Sequence, residues 1–275
     1  VFRLFIKKKA TGGTDPCHVC VNDAGSHVFV SNFMSGSVSV YPLAEDGSLV
    51  DSSQFIQHTG SSVNPTRQKG PHAHSLTFDP RNRFAFVPDL GIDRLMQYEF
   101  DREAGILTPA ASPWTSVPPG AGPRHFVFHP AGTYAYLINE LASTMTAYSY
   151  DPGSGVLSEL NTLSTVPAGF SGGNTCADVN IAPSGRFIYG SNRGHDSLAI
   201  YGIDAANGSI ELLGFESTRG KTPRSFAIDP SGAFLLAANQ DSDTIVVFRI
   251  DQKNGTLTEA AVAEVPTPVC VKPFF

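Results

Sequence analysis

Charge is scarce in this chain: Asp, Glu, Lys and Arg make up 16% of its 275 residues, whereas 41% are hydrophobic. That balance excludes a disordered protein and leaves enough apolar material for a sizeable core. No basic run exceeds Lys7-Lys8-Lys9 and the net charge is −6, so nucleic acid is not an expected partner. No stretch approaches the roughly 18 consecutive apolar residues of a membrane span, and no membrane partner is expected. A convincing helical period is missing throughout. Val1–Lys9 has neither an initiator Met nor a signal-peptide layout. It reads as the middle of a longer protein or an atypical start, with the cytoplasm as the expected compartment.

Cysteine is also sparse. Cys17, Cys20, Cys176 and Cys270 are too few for a disulfide framework at this length, which suits a reducing compartment. Cys17-x-x-Cys20 has the look of half a metal site, but no second pair follows, and on a strand residues three apart face opposite ways. The pair reads as two buried thiols. The Gly-x-Ser-x-Gly, Gly-x-Gly-x-x-Gly and Gly-x4-Gly-Lys-Ser/Thr patterns are absent, as are the usual metal motifs. Neither metal nor cofactor is expected. Gly169-Phe-Ser-Gly-Gly173 precedes no helix and reads as a flexible link.

What the chain has is turns and repetition. Gly (26) and Pro (20) are plentiful. One pattern recurs from Pro16, Ala73, Pro123, Cys176 and Pro223. It runs as an apolar strand with an Asp-Pro or Pro-Ser-Gly turn, then a second strand ending in Asn or Asp. A short polar loop and a third, alternating strand follow. The register residues Asn32, Asp89, Asn139, Asn192 and Asn239 stand 57, 50, 53 and 47 apart, and a sixth copy starts at Pro268 and stops. Glycine turns at Gly47, Gly105, Gly155, Gly208 and Gly255 add a fourth strand to each copy. Four short strands per repeat of this length predict an all-β fold, a β-propeller of four-stranded antiparallel blades, with residues 1–275 as one domain. The extended polar loop Ile56–Gly70 breaks the even spacing and reads as functional.

In an antiparallel blade, the residue opening the first strand and the loop after the second lie at one end. The opening column is Cys17, His74, Arg124, Ala177 and Arg224, followed by His18, Ser75, His125, Asp178 and Ser225. The recurring Asn/Asp column reads mainly as turn caps, with Asp89 kept as a substrate-binding candidate. The next column is Phe33, Leu90, Glu140, Arg193 and Gln240. A carboxylate and a guanidinium at equivalent places in neighbouring copies are not required by the repeat. The expected rim thus carries His72, His74, Arg124, His125, Glu140, Arg193, His195 and Arg224. Its cations suit an anionic ligand, and Glu or His can move the proton.

At these residues the chain resembles the seven-bladed propeller lactonases, a family that includes bacterial-type 6-phosphogluconolactonase and fungal carboxymuconate cyclases. The resemblance runs from about Thr11 to the end. It rests on Gly12-Gly-Thr-Asp-Pro-Cys-His18, Val30-Ser-Asn-Phe-Met-Ser-Gly-Ser-Val-Ser-Val-Tyr41, Gly70-Pro-His-Ala-His74 and Val87-Pro-Asp-Leu-Gly91. Gly122-Pro-Arg-His125, Asn139-Glu-Leu141, Ser191-Asn-Arg-Gly-His-Asp-Ser197 and Thr267-Pro-Val-Cys-Val-Lys272 complete it. Val1–Ala10 lies outside it.

The resemblance implies metal-independent hydrolysis of 6-phosphogluconolactone in the pentose phosphate pathway. His74, Arg124, Glu140 and Arg193 are then catalytic; His18, His72, Asp89, His125, His195 and Arg224 bind substrate. Glu140 or His74 activates water, and the arginines hold the oxyanion and the substrate's negative group. The alternatives are a carboxymuconate cyclase-like lactonizing enzyme and a non-catalytic interaction platform. The expected partner is a small anionic sugar lactone or polycarboxylate, with the protein a monomer or weak homo-oligomer. Seven blades of about fifty residues need roughly 350, so the resemblance implies an N-terminal truncation. Val1–Lys7 and Val269–Phe275 would then supply part of a final sheet.

Overall fold

The computed structural model describes residues 7–273. Its strands form five consecutive four-stranded antiparallel sheets, each in simple chain order. Sheet I is β1 (Pro16–Val21), β2 (His27–Asn32), β3 (Ser37–Pro42) and β4 (Gln54–Gln57). Sheet II is β5 (Thr77–Phe78), β6 (Phe84–Asp89), β7 (Arg94–Asp101) and β8 (Ile106–Ser116). Sheet III is β9 (Pro123–Phe128), β10 (Tyr134–Asn139), β11 (Thr144–Tyr150) and β12 (Leu157–Ser164). Sheet IV is β13 (Thr175–Ile181), β14 (Phe187–Arg193), β15 (Ser197–Ile203) and β16 (Ile210–Ser217). Sheet V is β17 (Pro223–Ile228), β18 (Phe234–Asn239), β19 (Thr244–Ile250) and β20 (Leu257–Glu264). A short 3-10 turn at Gln240–Ser242 is the sole helical element among the described residues. Every expected copy is therefore a four-stranded meander.

The local chemistry explains the meander. The first turn of a sheet is closed by a side chain that takes successive backbone amides. Asp79 Oδ1 accepts from Arg83 and Phe84 N–H (2.7 and 2.8 Å), and Asp229 Oδ1 accepts from Phe234 N–H (2.7 Å). Asn22 Oδ1 does the same for Ser26 and His27 (3.0 and 2.9 Å). These are the Asx turns that compete with continued strand and so end it. The hairpin before the fourth strand needs glycine twice over at Gly208. Its φ is +77°, and a Cβ there would sit 2.1 Å from the Tyr134 ring.

The chain divides into two compact units: residues 7–126 with 152–156, and residues 127–151 with 157–273. In the first unit, Phe29, Val38 and Val40 of sheet I share a core with Ala85, Val87, Tyr98, Phe100 and Leu107 of sheet II. In the second unit, Tyr136, Ile138 and Met145 of sheet III pack with Ile188, Ala199 and Tyr201 of sheet IV. Another cluster joins Tyr189, Leu198 and Ile200 of sheet IV to Leu235, Val246 and Phe248 of sheet V. The alternation expected along the strands is lost in β6, whose six residues are all buried. Both of its faces are covered, so Phe84-Ala-Phe-Val reads as a continuous apolar run. The fourth strands are the opposite: after Leu257, every residue of β20 is exposed.

Two expectations are corrected. Cys17 is exposed and Cys20 half-buried, so the pair is not two buried thiols. The physical reason is that β1 alternates between exposed and half-buried positions, with Val19 64% and Val21 51% exposed. Nor do the chain ends form a final sheet among the described residues: 7–9 and 269–273 carry no strand, while Val1–Ile6 and Phe274–Phe275 lie outside the described residues.

Candidate active site

Antiparallel pairing brings the start of a sheet's first strand to the end of its second. Pro16 stands opposite Asn32, Thr175 opposite Arg193, Pro223 opposite Asn239, and Ala73 bridges Asp89. The two candidate columns therefore meet at one end of each of these sheets, as the alternating geometry requires.

In the first unit this end carries a dense basic cluster. His74 is 5% and Arg124 2% exposed. The His74 amide is tied to Pro88 O (3.0 Å), and the His72 carbonyl takes Leu90 N–H (3.0 Å). The Phe33 ring stacks on His72 (4.6 Å, 15°) and meets His74 edge-on (5.2 Å). His125 lies edge-on to both His74 (5.2 Å) and His18 (5.8 Å). Arg124 Nη1 is 3.2 Å from His125 Nε2. A guanidinium only donates, so that nitrogen accepts, and the His125 proton sits on Nδ1. The Cys17 thiol donates to the His74 carbonyl (3.2 Å) and lies 3.9 Å from its Nδ1. His18, His72, His74, Arg124 and His125 are thus brought together. Phe33 and Cys17 belong with them; their signal was their place in the same two columns.

In the second unit a different cluster forms. Glu140, 3% exposed, holds Arg193 through Oε2–Nη2 at 2.9 Å. The same Nη2 donates to Cys176 O (2.8 Å), and Cys176 N–H returns to Glu140 O (3.1 Å). Arg193 Nε is buried with no acceptor among the described residues. The Cys176 thiol touches Thr165 Oγ1 (3.0 Å). Burial pushes that thiol up to about 12, while the Thr165 contact and Arg193 pull it down and Glu140 pushes it up. His195 follows Arg193 by two residues and makes contacts of its own. Its Nδ1 meets Ser197 Oγ (2.6 Å), and its ring packs edge-on against Phe170 (4.9 Å) and Phe215 (5.8 Å). Arg224 is half-exposed near the start of β17. Among the described residues no group of three or more His, Cys, Asp or Glu is arranged to hold a metal ion.

Asp89, expected at the rim as a substrate ligand, is fully buried. Its Oδ1 accepts from His72 N–H (2.6 Å) and Gly91 N–H (3.0 Å), and its Oδ2 meets His58 Nδ1 (2.6 Å). Both oxygens are engaged by the protein itself. His58 escaped the sequence reading because it belongs to neither column.

Tandem four-stranded meanders with ionisable side chains gathered at strand ends define an enzyme-like β-propeller fold. The chain belongs to the lactonase family described as a 7-bladed β-propeller, which it matches over residues 3–273. The match takes in residues 3–10, which the resemblance had left out. It is 38% identical over 269 residues to the 6-phosphogluconolactonase of Bacillus subtilis (strain 168), covering 98% of this chain and 76% of that protein. A 6-phosphogluconolactonase of Formosa agariphila is 38% identical over 228 residues, 82% of this chain and 64% of that one. Among solved structures, a periplasmic gluconolactonase of Pseudomonas aeruginosa superimposes with a TM-score of 0.88 at 35% identity, over 94% of this chain and 72% of that one. The chain thus spans between about two thirds and three quarters of these relatives, and its described residues hold five four-stranded sheets. No helix among the described residues is long and apolar enough to cross a membrane.

Proposed function

We propose that this protein hydrolyses the lactone ring of 6-phosphogluconolactone. The relatives' names supply the substrate class. The single observation that carries the chemistry is the Arg193 guanidinium. Glu140 and a backbone carbonyl orient it, yet its buried Nε still lacks an acceptor. A buried donor without a partner costs free energy, and a preorganised one facing developing charge is what an acyl-transfer transition state needs.

In this reading, water attacks the lactone carbonyl and Arg193 stabilises the oxyanion. Glu140 keeps the guanidinium in place. His74 accepts the water's proton, a role that suits an imidazole at neutral pH. Arg124, with His125 beside it, holds the phosphate, and His18 and His72 are proposed as further contacts to the substrate. His195 and Arg224 are proposed as further substrate contacts. Asp89 supports the site from within.

The test is hydrolysis of 6-phosphogluconolactone above its spontaneous rate, with unphosphorylated gluconolactone as the comparison because the Pseudomonas relative is named for it. Removing the base or the oxyanion donor should cost about 100- to 1,000-fold in kcat in His74→Asn and Arg193→Met. Arg124→Met should raise KM for the phosphorylated lactone and leave the unphosphorylated one nearly unchanged. Equal rates for wild type and buffer refute the reading, and ring closure of a carboxylated muconate would replace it with a lactonizing one. The cytoplasm is the proposed compartment, supported by a cysteine count of four, too few for a disulfide framework at this length; recovery in a periplasmic fraction would overturn it.

A further inference from the structure

Each sheet's fourth strand is followed by a residue that extends the ladder. His58 N–H donates to Gly36 O (3.0 Å), Thr165 N–H to Ser143 O (2.9 Å) and Thr218 N–H to Asp196 O (3.0 Å). In the second unit that residue's carbonyl receives the side-chain amide ending the next sheet's second strand: Asn192 on Thr165 O and Asn239 on Thr218 O. In the first unit the same junction is made by ionisable side chains. His58 Nδ1 meets Asp89 Oδ2 at 2.6 Å, with side chains 1% and 0% exposed. The other ring nitrogen, Nε2, lies 3.0 Å from Tyr98 Oη. Burial, and secondarily the Asp89 charge, hold the Tyr98 phenol well above its ordinary range. Its O–H therefore donates to Nε2, and the His58 proton on Nδ1 faces Asp89. Nothing in the fold requires this, since an Asn and a carbonyl serve elsewhere.

The chain Tyr98–His58–Asp89 ends on the His72 amide (2.6 Å). His72 in turn stacks on the Phe33 ring that meets His74. The segment beside it is already tight, because a Cβ on Gly91 would fall 1.9 Å from Gly70 O. We propose that His58, carried by the loop that interrupts the repeat, is a positioning residue for the candidate active site. Through Asp89 it fixes the Gly70–His74 segment and so the ring of His74. This rests on the lactonase reading.

The experiment pairs two amides that mimic one ring nitrogen each. An Asn side chain reproduces Nδ1 and a Gln side chain Nε2. His58→Gln, which loses the link to Asp89, should lower kcat roughly 100-fold with little change in KM, the scale of a displacement near 1 Å. Its His72 amide should exchange with solvent at least about tenfold faster. His58→Asn should rescue both to within about threefold of wild type. Tyr98→Phe folds on the precedent of Phe248, its equivalent in sheet V, and should lower kcat by roughly threefold to tenfold. Equal losses in His58→Asn and His58→Gln, or full kcat in His58→Gln, overturn the proposal. Unchanged His72 exchange in His58→Gln overturns it whatever the activity. Wild-type hydrolysis no faster than the spontaneous rate instead removes the lactonase reading, while exchange still judges the clamp.

Discussion

Arg193→Met removes one charge of the buried Arg193–Glu140 pair, and the cost can be worked from the structure. At 2.9 Å the paired charges attract by ~6 kcal/mol with an effective dielectric near 20. Much of that offsets the desolvation of two groups whose side chains are only 15% and 4% exposed. The measurable loss on removing one partner is therefore about 3–5 kcal/mol. For a protein of this size it lowers Tm by on the order of 10 °C. Glu140→Gln strands the opposite charge and should cost a similar amount. Arg193→Met with Glu140→Gln removes both charges, and should recover to within about 2 kcal/mol of wild type. Urea unfolding at neutral pH reads all four proteins. The expected coupling energy is at least about 4 kcal/mol. Strict additivity, or single variants within about 1 kcal/mol of wild type, would show that the pair behaves as a surface salt bridge and that its geometry does not preorganise Arg193.

Thiol titration should separate the cysteines: exposed Cys17 and Cys270 should react with a disulfide reagent in the native protein, and buried Cys176 should react only after unfolding. Rapid native reaction of Cys176 would contradict its packing. Burial raises the folded Cys176 thiol from 9.0 to about 12, so its contribution to stability is intact below pH 9 and declines above it by about 1.4 kcal/mol per pH unit. Wild type should thus lose more stability than Cys176→Ala between pH 9 and about 11; parallel curves would refute the burial. Gly36 has φ +60°, and a Cβ there would lie 2.4 Å from Pro71 O, beside His72. Gly36→Ala should cost at least about 2 kcal/mol and lower activity, and unchanged values of both would show that the loop yields.

The repeat was legible because its punctuation is local. Asp79 and Asp229 close their turns within five residues, so the signal survives in sequence. The second strands were harder: burial on both faces erased the alternation in Phe84–Asp89. The opening column was readable for His74 and Arg124, since the pairing of β1 with β2 recurs in β13 with β14 and β17 with β18. His58 was not readable. It sits in the irregular loop, and its partner Asp89 lies 31 residues on, in the next sheet. Cys17 and Cys20 were misjudged because strand assignment fixes which way a side chain points, not whether anything covers it.

A repeated sheet carries its own controls. Asn32, Asn139, Asn192 and Asn239 show what the end of a second strand needs: an amide that reaches nearby oxygens. Asp89 departs from that solution and brings a buried imidazole with it. Glu140 and Arg193 occupy the position after that residue, where Phe33, Leu90 and Gln240 suffice in the other copies. A buried ion pair is weak evidence for stability, since uncharged side chains of similar size commonly do as well. When sibling positions in the same chain demonstrate the uncharged alternative, the fold alone does not account for the charges. On the proposed lactonase reading, what remains is the need to hold a guanidinium whose buried Nε has no acceptor among the described residues, and a histidine-bearing segment that does not move. Both are demands of a reaction site rather than of a sheet.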